Sequence, residues 1–156
     1  MNAAAQQLAP GSFARGSVGE VSGPGALRPG DSATVSYTVA NQGEAPASGS
    51  WRERIYVDSG SAPTEVASLF ITDGLAAGAS KTRSVNLTLP TSLADGSYRW
   101  LVRTDIDGTV YERAGEANNQ AVSATSLLVA RIDLVVSEVS APSLLRSGDS
   151  LHASWK

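Results

Sequence analysis

Apolar and polar residues alternate along short stretches of this chain, and glycine or proline interrupts each stretch before a helical period can develop. Ala33, Val35, Tyr37 and Val39 alternate with Thr34, Ser36, Thr38 and Ala40, which predicts a strand over residues 32–40. Residues 81–89 place Val85, Leu87 and Leu89 on one face, and residues 98–106 group Tyr98, Trp100, Val102 and Ile106. Further strands are expected at 16–22, 50–58, 66–72 and 121–129, each bounded by turn-forming residues. The stretch GPGALRPGD between the first two is expected to be a loop, because its glycines and prolines cannot continue a strand.

The pattern also starts over. Residues 136–156 repeat residues 18–38 at an offset of 118, with 11 of 21 aligned positions unchanged and Tyr37 recurring as Trp155. Self-similarity at a fixed period is the mark of a tandem array. The organisation expected is an N-terminal tail or linker at 1–13, one repeat at 14–131 and the truncated opening of the next at 132–156. Only Ala130 and Arg131 would join them, a connection short enough to restrict the angle between neighbours.

A repeat of this length can bury a core without staples. Fifteen Gly and seven Pro against two Phe and one Met fit many short strands and frequent turns. The absence of Cys removes disulfides, thiolate nucleophiles and Cys-based zinc sites. MNAAAQQLAPGSFARG has neither the basic start nor the apolar run of a signal peptide, and no stretch reaches the ~20 apolar residues of a membrane-spanning helix. A net charge of −3 argues against nucleic acid as a partner.

About seven strands without crossover helices predict an all-β protein, an immunoglobulin-like antiparallel sandwich, followed by the truncated first strands of a next repeat. LADGSYRW adds a specific sign. Tyr98 stands two residues before the apolar Trp100 and just after an Asp95-Gly96 turn, as in a tyrosine corner, with Trp100 in the core position that Cys fills in antibody domains.

In order and spacing, VSYTVANQGEAPA, SWRERIYVD, LAAGAS, LPTSLADGSYRWLVRTD and VYERAGEANNQA resemble the bacterial cell-adhesion-related domain family, CARDB. The resemblance covers about residues 14–131 and resumes at Ile132. It implies an immunoglobulin-like sandwich used as a tandem module in large extracellular or surface proteins, and it implies no catalysis. Ala40 departs from the family pattern at a position usually polar, and Gly115 replaces an Asn, which weakens any ligand geometry borrowed for that loop.

Two constellations have chemistry to offer. Asp105, Asp107, Glu112, Glu116, Asn118 and Asn119 gather hard oxygen ligands suited to calcium, the one cofactor this chain suggests. Their spacing fits neither an EF-hand nor a nonapeptide repeat, Asp107-Gly108 is better explained as a turn, and the Asn pair can cap loop backbone. On strand parity, Arg52, Arg54 and Tyr56 share an outer face with Arg99, Leu101 and Arg103 on a neighbouring strand. That face is either a basic, aromatic patch for an acidic glycan or surface protein, or a solvated sheet face with Glu53 and other acids nearby.

Catalysis finds no support. The one His, His152, lies in the second copy opposite Thr34 of the first, and no nucleophile elbow occurs. Asn86-Leu87-Thr88 matches a glycosylation sequon but reads as strand, and an intramolecular Lys–Asn crosslink would have to use Lys81. The expectation is a non-enzymatic spacer or presenting repeat of a secreted or cell-surface bacterial protein, contacting neighbouring repeats. The alternative is a carbohydrate- or protein-binding accessory module of an extracellular enzyme. Residues 132–156 expose a sheet face without its sheet, so they are expected to be disordered or docked on another chain. A strand-exchanged dimer, in which they replace the weak ARGSV start, is one such arrangement.

Overall fold

The computed structural model describes residues 14–112 and 116–156, without the side chain of Glu116; the expected tail at 1–13 lies outside the described residues. In chain order the strands are β1 Gly16–Ser22, β2 Ala26–Leu27, β3 Ser32–Asn41, β4 Trp51–Asp58, β5 Thr64–Ile71, β6 Ser80–Thr88, β7 Gly96–Arg103 and β8 Gln120–Val129. Two short strands follow, β9 Val139–Ser140 and β10 Ser154–Trp155. The first eight form two sheets, β1-β3-β6 and β2-β8-β7-β4-β5, which face each other as an immunoglobulin-like sandwich.

Period two builds this core. Val35, Tyr37 and Val39 of β3 point inward to meet Ile55 and Val57 of β4, Trp100 and Val102 of β7, and Leu127 and Val129 of β8. A bulge in β1 between Val18 and Val21 turns both valines inward although they are three residues apart. On the opposite face of β3 and β6, hydroxyl and amide side chains pair across the strands: Thr34 with Asn86 at 2.7 Å, Ser36 with Ser84 at 2.9 Å and Thr38 with Thr82 at 3.2 Å.

Trp100 sits fully buried as expected, its indole N–H donating to Pro24 O at 3.1 Å. Its backbone N–H donates to Ser123 Oγ at 3.1 Å, because β8 bulges between Val122 and Ser126 and the serine hydroxyl stands in for a ladder carbonyl. The tyrosine corner is present, with Tyr98 Oη donating to Ala94 O at 3.0 Å. Asn41 is buried with its amide fully used. Its oxygen accepts from the N–H of Arg15 and of Gly43, and its nitrogen donates to Ala45 O and Leu75 O, which shapes the loop after β3.

Three expectations are corrected. GPGALRPGD is not all loop, because Ala26 and Leu27 pair in parallel with Leu128 and Val129. The strand expected to reach Ile106 stops at Arg103, since Asp105 takes a left-handed φ of 44° that no strand can continue. The first strand expected in the truncated repeat is reduced to Val139–Ser140, where Val139 pairs with Trp155 and Ser140 with Ser154. That pairing is the β1–β3 register moved by 118, since Val21 pairs with Tyr37 and Ser22 with Ser36.

The turn between the two strands recurs as well. Asp31 accepts the N–H of Arg28 at 2.8 Å around Gly30, whose φ is 91°, and Asp149 accepts that of Arg146 at 2.7 Å around Gly148, whose φ is 95°. In β1 the pairing extends further, with Gly16–Val18 opposite Val39–Asn41, so β1 is longer than β9.

Candidate functional site

The outer face of β4 and β7 brings the expected patch together, because these strands are antiparallel neighbours. Arg54 lies opposite Arg103, Tyr56 opposite Leu101 and Asp58 opposite Arg99. The face is less open than its residue types suggest. Tyr56 and Leu101 are both buried, and the Arg103 guanidinium lies over the Tyr56 ring, 5.3 Å from its centroid.

The other arginines are occupied locally. Arg52 stacks on the exposed Phe70 at 5.5 Å and sits 3.3 Å from Asp107, while Arg54 sits 3.4 Å from Glu65. Arg103 also donates to Gln120 at 3.2 Å. Exposed pairs of this kind contribute at most about 1 kcal/mol each. They do cancel the positive field that a purely basic patch would project. Arg99 is exposed next to Ser126 and Asp58.

Glu53 belongs to none of this, which corrects its expected place on the wet face. It shares inward parity with Trp51, Ile55 and Val57 and is fully buried. Its Oε2 accepts from Tyr37 Oη at 2.6 Å and lies 3.0 Å from Arg83 Nε, and its Oε1 accepts from the Trp51 indole at 3.0 Å. Arg83 continues to Asp73, which also pairs with Lys81. The Lys81 hydrogen bond, then Arg83, holds the Asp73 carboxyl below its ordinary value. Burial, then the Glu53 hydrogen bond, pushes the Tyr37 phenol far above its own. Parity along SWRERIYVD is the signal that locates this network.

The acidic segment is built as a loop frame. Asp105 Oδ1 accepts from the N–H and hydroxyl of Thr109 at 2.8 and 2.9 Å, and Oδ2 accepts from the Val110 N–H at 3.0 Å. These bonds hold Asp105 buried in its left-handed conformation. Asp107 turns outward to Arg52. Glu112 Oε1 accepts the Gly16 N–H at 2.6 Å, tying β1 to this loop. Asn118 lies in a 3-10 turn, Glu116–Asn118, and Thr104 N–H donates to Asn119 O at 2.9 Å. Gly115 and the Glu116 side chain lie outside the described residues. Among the described residues no three His, Cys, Asp or Glu side chains converge to hold a metal ion.

Arg131, expected only as part of the two-residue joint, closes the exit from β8. Its side chain bonds to Asp95 and donates to Leu93 O at 2.8 Å and Thr91 O at 3.3 Å. Both carbonyls belong to the loop that ends in the tyrosine corner.

The CARDB family model matches residues 17–123. The chain belongs to the CARDB family. CARDB is a cell-adhesion-related, non-catalytic domain type. Among solved structures it is similar to a CARDB domain of a Pyrococcus furiosus protein, described in complex with di-metal ions: 24% identity, TM-score 0.56, 75% of this chain and 94% of that one. A domain of a putative cell surface protein of Methanosarcina acetivorans matches at 20% identity and TM-score 0.54, over 77% and 95% of the two chains. A β-glucosidase of Listeria innocua in complex with glucose matches at 20% identity and TM-score 0.50; 78% of this chain corresponds to only 17% of that enzyme. At these identities the structural likenesses establish the CARDB fold alone. No curated protein sequence matches the chain.

Proposed function

We propose that this CARDB chain is a non-enzymatic spacer or presenting module of a secreted or cell-surface bacterial protein, with one repeat at 14–131 and the opening of the next from residue 132. The observation that carries the reading is the Arg131 clamp. A guanidinium held by the Asp95 carboxylate and two loop carbonyls fixes the direction in which the chain leaves β8. A binding module has no need of a fixed exit, whereas a spacer does. The repeated register of β9 and β10 supports the tandem arrangement.

The test compares the full chain with Arg131→Ala by NMR relaxation. Residues 130–135 should tumble with the sandwich in the parent and gain fast motion in the variant, with little change in thermal stability because the pair is exposed. Equal mobility in both would remove the clamp from the argument. A glycan array should be silent for a spacer.

A second reading is favoured by Phe70, a large apolar side chain 61% exposed beneath Arg52 on the outer face. There the face binds an acidic glycan or a surface protein. Glycan binding that vanishes in Arg54→Glu with Arg99→Glu supports it, and binding that survives sinks the patch.

A further inference from the structure

The segment 132–141 has the apolar pattern of β1, yet two of its residues do not fit the place of β1 and the glycine that follows it. Val136 and Val139 correspond to the core valines Val18 and Val21, and all four apolar side chains from Leu134 to Val139 stand in solvent. β1 is an edge strand paired only with β3, so its place is the easiest in the sandwich to usurp. By pattern alone, residues 132–140 of one copy could displace β1 of another.

Sterics speak otherwise at two glycines. Gly16 corresponds to Leu134, and a Cβ at Gly16 would lie 2.5 Å from Glu112 Oε1, the oxygen that already takes the Gly16 N–H. Gly23 corresponds to Ala141, and a Cβ there would lie 2.6 Å from Trp100 Nε1 and 3.0 Å from two further indole atoms. The indole cannot retreat, because it is fully buried and bonded to Pro24 O. The Trp100 ring leaves no room for a Cβ, whereas Glu112 is the end of a flexible side chain and makes room only by giving up its bond to the residue 16 N–H.

We infer that Gly16, at the start of β1, and Gly23, just past its end, make β1's place selective, admitting the chain's own opening segment and refusing the homologous segment 132–141 of a second copy. Neighbouring copies whose openings share 11 of 21 aligned positions are thereby kept from exchanging strands. The selectivity rests on small residues facing Glu112 and Trp100, with matching valines left free to serve the core.

The test uses disulfide trapping in the full chain, which has no Cys of its own. Ser22 faces Ser36 in β1–β3, so Ser140 would face Ser36 only if the tail replaced β1. Ser22→Cys with Ser36→Cys is the positive control. Ser36→Cys with Ser140→Cys should crosslink poorly, and adding Leu134→Gly and Ala141→Gly should raise the yield at least about tenfold, with dimer visible by light scattering. Leu134 and Ala141 are exposed, so these changes leave the sandwich intact. Efficient crosslinking without the glycine changes overturns the inference. So does a yield that the glycine changes fail to raise.

Discussion

Tyr37 Oη and Glu53 Oε2 meet at 2.6 Å across the apolar core, one from each sheet. The buried carboxylate accepts two hydrogen bonds, from Tyr37 and from the Trp51 indole, and forms an ion pair with Arg83. Removing one partner of a buried pair leaves the other uncompensated. Glu53→Ala should therefore cost about 3–5 kcal/mol in urea unfolding, and Tyr37→Phe about 1–3 kcal/mol.

The same pair sets an alkaline limit. The folded chain holds the Tyr37 proton far above the ordinary value of 10.0, so above pH 10 the unfolded state binds fewer protons than the folded one. Stability then falls as pH rises. Unfolding free energies at pH 8 and pH 11 should show a smaller loss for Tyr37→Phe than for the parent chain.

Trp100 and Tyr98 separate burial from hydrogen bonding within one strand. Trp100→Ala empties the largest fully buried side chain and should cost roughly 3–5 kcal/mol. Tyr98→Phe removes only the bond to Ala94 O and should cost about 0.5–1.5 kcal/mol. A Trp100→Ala cost under about 1 kcal/mol would contradict its place in the core.

Asp105 is committed to its own loop, so its replacement should act without any metal. Asp105→Ala loses three bonds and the support for a left-handed residue, a loss of about 2–3 kcal/mol that should be the same in calcium and in EDTA. The melting temperature of the parent chain should be unchanged at millimolar calcium. A calcium-dependent rise would return the segment to metal binding.

Most of the sandwich was legible because alternation is a local property. Residues 32–40 and 51–58 declare their inward faces without reference to any other strand, and the doubled opening states the β3 pattern twice. Parity even places Glu53 inside, although its charge points the expectation to the surface. What depends on distant pairing was not legible. Ala26 and Leu27 become a strand only because Leu128 and Val129 lie beside them. The end of β7 is set by bonds from Asp105 to Thr109 and Val110, and the Arg131 clamp by carbonyls at positions 91 and 93. The outer face illustrates the same limit, since spacing brings its arginines together but cannot say that Asp107, Glu65 and the Tyr56 ring already engage them.

The parallel contact of β2 with β8 has a consequence under tension. Leu128 N–H donates to Gly25 O and Ala130 N–H to Leu27 O, where the first strands lie beside the last. A pull on the two ends draws β2 back toward its start and β8 forward along its own direction, so these bonds are loaded side by side in shear and cannot open one after another. Force entering at the start of the sandwich meets the β1–β3 pairing first, and this short seam is the next element to resist it.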